Sequence, residues 1–341
     1  MKSISAKIFI AAAICLIFVL CQATPVHADS VDSSDTAYTY GDMKQDIKEL
    51  TRAYPDALHY KVFGKSCDGR NIYCLYLGNR KAKKQIFVTA DMHAREYINA
   101  QLVMQCVEYY CKNYDTGSYI GTAYKDLFHT VCIVIIPMVN PDGVAIATGG
   151  PSAINSSKLR KKLESMPVSG GYSNWQANAR GVDLNRNFGN YDGTGSGGKY
   201  NTSPCYAYYG GSQKYSEPET WAVMTAMDTC KNVKAYLNIH SMGRTIYYSG
   251  TDSQKLAACR DLATFIQSIN GYSLVDESAS TNDHGDLEHY ISKTYGKPYV
   301  CIETGTSIPV AHWELSGIYS THQLLFAKVA DKYAGTIVKA Q

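Results

Sequence analysis

The sequence predicts a single α/β domain: a mixed, mostly parallel, twisted sheet with helices on both faces. Three observations lead there. Segments with helical apolar spacing alternate with short apolar runs along the chain. Several runs, VCIVII among them, are apolar throughout, as in strands covered on both faces. The chain has 341 residues, and about 300 suffice to bury one large core.

The elements follow in order. Gly41–Tyr54 reads as an amphipathic helix with Met43, Ile47 and Leu50 on one face, and it stops before Pro55. IYCLYLG is a strand ending at glycine, and QIFVTA is a second. A helix over Ile98–Lys112 and the strand HTVCIVIIPMVN come next. Ser216-Glu217-Pro218-Glu219 opens a helix reaching Cys230, followed by the strand VKAYLNIHS. A helix over Ser253–Ile269, the strand PYVCIETG and a closing helix over Ile318–Tyr333 complete the set. Gly189–Gly211, rich in Gly, Ser and Tyr, is a long surface loop of the kind that often carries function.

The N-terminus is different in character. Lys2 and Lys7 precede an apolar core from Ile8 to Leu20, and Val26-His27-Ala28 offers a small-residue cleavage site. A secretory signal over 1–28 is expected, with a short lead over 29–37 and one domain over 38–341. The alternatives are an uncleaved anchor or a lipid on Cys21. Against the first stands an apolar run shorter than the ~20 residues of a spanning helix; against the second stands the bulky Leu20. Cleavage would remove two lysines and no acid, taking the formal charge from +3 to +1. No basic excess marks a nucleic-acid or anionic-membrane partner. A secreted monomer without a stable membrane anchor is the expectation.

Nine cysteines follow residue 28, an odd number with no CxxC spacing, so neither a complete disulfide framework nor a thiolate zinc site is indicated. Cys132 and Cys301, inside apolar runs, read as buried inert thiols. A reducing exterior, or one or two disulfides at most, would fit.

Strand ends carry the polar chemistry. His93 and Glu96 follow QIFVTA, His240 ends VKAYLNIHS, and Glu303 lies near the end of PYVCIETG. Ligands of open α/β sheets bind beyond the carboxyl ends of strands, so these four could converge. Two histidines and a carboxylate make a three-ligand set for catalytic zinc with a fourth position open. A nearby glutamate could then act as base. Spacing alone leaves this equal to the alternative, that HxxE is a short coincidence and each strand-end histidine is structural.

HAREYI (93–98), NPDG (140–143), GVDLNRNF (181–188), SEPET (216–220), NIHS (238–241) and IETG (302–305) stand in this order. In order and spacing they resemble the zinc metallocarboxypeptidases of the carboxypeptidase A/B type, from about Tyr38 onward. The resemblance implies one zinc per chain held by His93, Glu96 and His240, with Glu303 as general base and later proton carrier. It implies Asn185 and Arg186 as the pair holding a substrate's terminal carboxylate, which suits the planar fork of arginine. Asp183 is implied as the carboxylate orienting a ligand histidine, and Arg95 as an arginine contacting substrate carbonyls. An arginine polarising the scissile carbonyl is expected between NPDG and GVDLNRNF, where the chain offers Arg160 and Arg180, the latter tethered closest to the motif. The tyrosine that closes over substrate should fall near Thr281, and none is there. Either Tyr272 or another loop residue replaces it, or the pocket stays more open.

GDLEHY (285–290) resembles the family segment whose residue two before the aromatic lines the pocket floor; here that is Glu288. A buried carboxylate needs a cationic partner, which a C-terminal Lys or Arg would supply. With a one-residue shift Asp286 or His289 would take the place, leaving Glu288 an exposed helical residue. Three readings follow: a peptidase trimming C-terminal, mainly basic, residues; a cell-wall enzyme cutting γ-D-glutamyl-diamino-acid bonds in stem peptides, whose bacterial members the LRKKLES…WQANARGVDLN region resembles; and an inactive peptide-binding homologue. The presence of Arg186 favours trimming ends, and the complete ligand set disfavours inactivity.

Overall fold

The computed structural model describes residues 29–189, 201–278 and 285–340. The signal-peptide expectation and the Thr281 position lie outside the described residues, as does residues 190–200 of the predicted loop. The strands are β1 (Leu58–Lys65), β2 (Asn71–Leu77), β3 (Lys84–Ala90), β4 (Ser118–Tyr119), β5 (Thr122–Ala123), β6 (Val131–Ile136), β7 (Val233–Ser241), β8 (Thr245–Tyr248), β9 (Ser273–Asp276) and β10 (Tyr299–Thr304). Eight of them form one sheet in the order β1-β2-β6-β3-β7-β10-β8-β9, while β4 and β5 make a separate hairpin. β6, β3, β7 and β10 run parallel in the centre. β1 and β2 add antiparallel on one side, and β8 antiparallel to β10 on the other. The mixed, mostly parallel sheet is therefore as expected.

Sequence dictates this division of labour. All six residues of β6, VCIVII, are buried, and branched aliphatics fit a pleated surface covered on both sides. The Tyr40–Ala53 helix starts at a capping box in which Thr39 and Asp42 bond reciprocally, and it buries Met43, Ile47 and Leu50. The Ser253–Asn270 helix is capped by Asp252 and stopped by Gly271 in the left-handed region at φ 73°.

The edges escape sequence reading. β1 (LHYKVFGK) keeps Tyr60 and Val62 more than a third exposed, and β8 and β9 have four residues each, so none shows a sustained apolar run. The predicted strand over 129–140 is shorter than expected. Tyr124–Thr130 is helical, β6 ends at Ile136, and Asn140 caps a helix over Pro141–Gly149 by accepting the Gly143 N–H at 3.0 Å. Proline at the first helical position suits that start. The predicted closing helix is two, Leu315–His322 and Leu325–Ala334.

Register sets the functional edge. Ala90 of β3 lies opposite Ile239 of β7, and Thr304 of β10 opposite Ser241, so β7 and β10 stop level and β3 two residues before them. A second apolar cluster of Ala94, Ile146, Leu163, Trp175 and Ala177, all buried, packs the loops beside that edge. Across it, Gly285 has φ +70°, and a Cβ there would lie 2.5 Å from the Arg186 carbonyl oxygen. The Phe188 N–H bonds to the Gly285 carbonyl at 2.7 Å, so residues 185–188 and the Leu287–Thr294 helix are docked backbone to backbone. Gly285→Ala is expected to cost about 1–3 kcal/mol and lower the thermal midpoint by several degrees. An unchanged midpoint would show that this contact gives way freely.

Candidate metal centre and substrate pocket

Behind β3 the chain turns through Asp91, at φ 51°, and enters a single 3₁₀ turn, Ala94–Glu96. Asp91 is buried and accepts the Ala100 N–H at 3.1 Å, which anchors the start of the Ile98–Lys112 helix. His93 and Glu96 are thereby placed on one side of the turn. Nδ1 of His93 lies 2.8 Å from Glu96 Oε1, and Nδ1 of His240 lies 3.0 Å from Glu96 Oε2. The two Nδ1 atoms are 3.2 Å apart. In a tetrahedral zinc site with bonds of about 2.0–2.1 Å, ligand atoms stand roughly 3.3 Å from one another. The three donors thus already have the spacing of one face of such a tetrahedron.

Supporting bonds fix two of the three donors, His93 and Glu96. Nε2 of His93 meets Asp183 Oδ1 at 3.2 Å, and the Ser241 N–H donates to Glu96 Oε2 at 3.1 Å. Asn99, Ser241 and Thr304 close a ring of side-chain hydrogen bonds at 3.1, 2.9 and 2.7 Å, tying the Ile98–Lys112 helix to the ends of β7 and β10. Burial disfavours charge on His93, yet Glu96 and Asp183 outweigh it and lift His93 to about 10. Burial would raise Asp183, yet His93 and Arg186 hold it well below the usual carboxylate range. The cage draws positive charge to one point, which suits a divalent cation; His93, Glu96 and His240 would hold it.

Glu303 stands opposite His240 in the parallel β7–β10 register. Its Oε2 is buried without a hydrogen-bond partner among the described residues, and Oε1 has the Cys301 thiol at 3.8 Å. Burial pushes its carboxyl up to about 7, with His240 pulling the other way.

Asn185 and Arg186 sit in the turn that follows Asp183. The Asn185 side-chain oxygen accepts the Leu287 N–H at 3.0 Å, which leaves its amide nitrogen as the donor end. Arg186 donates to the Asn185 carbonyl at 2.6 Å. Beyond Gly285, Asp286 and His289 serve each other: Asp286 caps the helix by accepting the His289 N–H at 2.7 Å, and their side chains pair at 2.8 Å. Glu288 instead turns toward the sheet and accepts from Asn238 Nδ2 at 2.8 Å. Glu288, Cys301 and His240 have ligand atoms within 4.8 Å of one another. Of Asp286, Glu288 and His289, it is Glu288 whose carboxylate lies beside His240.

Other candidates lie elsewhere. Arg180 is half-exposed and pairs with Glu217 at 3.6 Å, while Arg160 donates to the Ile154 carbonyl at 2.6 and 3.1 Å. The structure brings neither into contact with the ligand residues or Glu303. Tyr272 is not the missing closing tyrosine: it is 6% exposed, its ring packs 5.4 Å from His322, and Asn270 holds its backbone N–H. All nine described cysteines are free, seven of them buried, including Cys132 and Cys301. Sequence reasoning gave no role to Asn238, Asn174 or Gln176; the last two, just ahead of GVDLNRNF, bond to Arg95 at 2.6 Å each.

The chain matches the model of the Zinc carboxypeptidase family over residues 43–323. It is 27% identical over 282 residues to gamma-D-glutamyl-L-diamino acid endopeptidase 1 of Lysinibacillus sphaericus, covering 81% of this chain and 68% of that protein. It is 28% identical over 214 residues to carboxypeptidase B of Astacus astacus, covering 62% and 63%. The chain thus spans about two thirds of the length of these curated relatives. The crystal structure of thrombin activatable fibrinolysis inhibitor superposes with a TM-score of 0.70 at 21% identity, over 90% of this chain and 77% of that one, a likeness of fold. With that family model spanning most of the domain, the chain belongs to the zinc carboxypeptidases, zinc-dependent hydrolases of peptide bonds.

Proposed function

We propose that this protein is a secreted exopeptidase that removes C-terminal residues, with Lys or Arg preferred. The observation that carries the reading is the placement of Glu288: a partly buried carboxylate beside His240 and Cys301, across Gly285 from Asn185 and Arg186. A substrate whose terminal carboxylate meets Asn185 and Arg186 would direct its last side chain toward Glu288. A cationic side chain there supplies the partner that a desolvated carboxylate requires. Arg95, at the other side of His93, would meet the substrate backbone.

Zinc, when bound, supplies Lewis-acid polarisation of the scissile carbonyl. Glu303 does the proton work. Its carboxylate takes a proton from the attacking water and later hands it to the departing amine, and a carboxyl held near 7 by burial suits both directions. One specific observation supports a second reading, the cutting of cell-wall stem peptides: the 27% identical relative is a gamma-D-glutamyl-L-diamino acid endopeptidase.

His240→Ala is expected to lose both zinc, measured as metal per chain, and activity. Full zinc content in that variant would remove His240 from the ligand set. Glu303→Gln should keep its zinc and lose at least ~10² in turnover, because an amide cannot accept the proton; near-normal turnover would end its assignment as base.

Amidating the C-terminus of a peptide substrate is expected to depress kcat/KM strongly, since Arg186 loses a charge-assisted partner. Equal cutting of free and amidated peptides at internal bonds would favour the stem-peptide reading. Substrates ending in Lys or Arg should outcompete those ending in Phe or Leu by roughly 30- to 1,000-fold, the equivalent of ~2–5 kcal/mol for a desolvated ionic contact. That preference should shrink in Glu288→Ala; a wild-type preference for Phe, unmoved by the substitution, would show that Glu288 does not read the substrate.

A further inference from the structure

We infer that Gln176 is a positioning residue that couples Arg95 to the zinc ligand His93. Gln176 is 3% exposed and stands between two groups of opposite chemistry. Its Oε1 accepts from Arg95 Nη2 at 2.6 Å, and its Nε2 donates to Asp183 Oδ2 at 2.6 Å. Asp183 in turn receives Nε2 of His93 on its other oxygen at 3.2 Å. The result is an unbroken chain: guanidinium, amide, carboxylate, imidazole.

Each end of that chain determines the middle. A guanidinium offers donors alone and an ionised carboxylate acceptors alone, so the residue between them must accept at one end and donate at the other. A glutamate would set two carboxylates face to face, a lysine would set two cations together, and methionine would satisfy neither. The amide orientation follows from the neighbours. The segment holding Gln176 is itself fixed: its N–H donates to the Tyr206 carbonyl at 2.9 Å, its carbonyl accepts the Ala94 N–H at 3.0 Å, and Trp175 before it is fully buried. Arg95 is steadied on the far side by Asn174 Oδ1 at 2.6 Å. Asp183 keeps two further donors, the backbone N–H groups of Tyr208 and Asn185, both at 3.1 Å. These hold the carboxylate in place, while Gln176 makes its orientation depend on Arg95. Partners bonded directly to a metal ligand, as Asp183 is to His93, commonly change metal affinity 10- to 100-fold, and Gln176, one bond further out, acts through Asp183 and falls at the low end.

The inference rests on His93 as a zinc ligand, and its test uses no substrate. Apo-protein is titrated with zinc against a chromophoric chelator for wild type, Arg95→Met, Gln176→Met and the double variant. Gln176→Met is expected to raise the zinc Kd about 10-fold, the low end of that range. The effect of Arg95→Met on Kd should differ between the wild-type and Gln176→Met backgrounds by about 3-fold or more, the mark of coupled neighbours. A through-space charge effect of Arg95 appears in both backgrounds and cancels in that comparison. An unchanged Kd in Gln176→Met, or an identical Arg95→Met effect in both backgrounds, overturns the inference. If Gln176→Met does not fold, Gln176→Asn takes its place, an amide one methylene too short to reach both partners, with the same expected outcomes. His93→Ala, measured alongside, separates the two failures: zinc retained there defeats the ligand reading itself, whereas zinc lost there with no coupling in the cycle defeats the role of Gln176 alone.

Discussion

Glu96 is the interaction on which the rest of the sheet edge depends. Its two oxygens lie 2.8 and 3.0 Å from two imidazole nitrogens, and it is 1% exposed. A carboxylate so far from water is tolerable only when positive charge stands beside it, since an unpaired buried charge costs several kcal/mol. Burial opposes its ionisation, and His93 with His240 reverses this and brings it to about 2. The adjacent ends of β3 and β7, the turn at Asp91 and the Asn99–Ser241–Thr304 ring all serve to keep those nitrogens where Glu96 needs them. The same placement brings Glu303 alongside, one strand over, where the field of the cage offsets part of its burial.

Much of this was legible because the informative residues are local. HxxE puts two donors on one short turn, and strand-end position brings His240 and Glu303 to the same edge once the strands are parallel. The central strands announced themselves by continuous burial. What stayed hidden depends on contacts between segments distant in sequence. β1, β8 and β9 are edge strands whose exposed side chains dilute any apolar pattern. Gln176 looks like any polar loop residue until Arg95, 81 positions earlier, and Asp183 close around it. Tyr272 was a reasonable substitute by position, and packing against His322 removes it. The choice among Asp286, Glu288 and His289 needed the helix phase: the N-cap consumes Asp286 and draws His289 to it, which leaves Glu288 facing the sheet.

Asn238 shows how that choice is held. Its amide is oriented by the Thr89 hydroxyl, which donates to Oδ1 at 2.7 Å, so Nδ2 must point at Glu288. One oxygen of Glu288 is thus satisfied by the protein. A neutral donor compensates a partly buried carboxylate less than a cation does, and that difference is the ground on which a basic substrate side chain is proposed. Pocket and metal cage then share a feature, each holding a carboxylate oriented by an amide or a backbone N–H group, Asn238 Nδ2 on Glu288 and the Ser241 N–H on Glu96.

Cys301 offers a rival donor, because a thiol within 4.8 Å of His240 and Glu288 is a plausible zinc ligand by type. A thiol must lose its proton to bind metal. Burial of Cys301, reinforced by the negative charges of Glu303 and Glu288, pushes its ionisation well above the usual range. Glu96 and the two histidines, by contrast, have donor atoms 2.8 to 3.2 Å from one another. The carboxylates around the sulfur thus oppose its ionisation in the metal-free chain, where the nitrogen and oxygen donors already have the spacing of a zinc site.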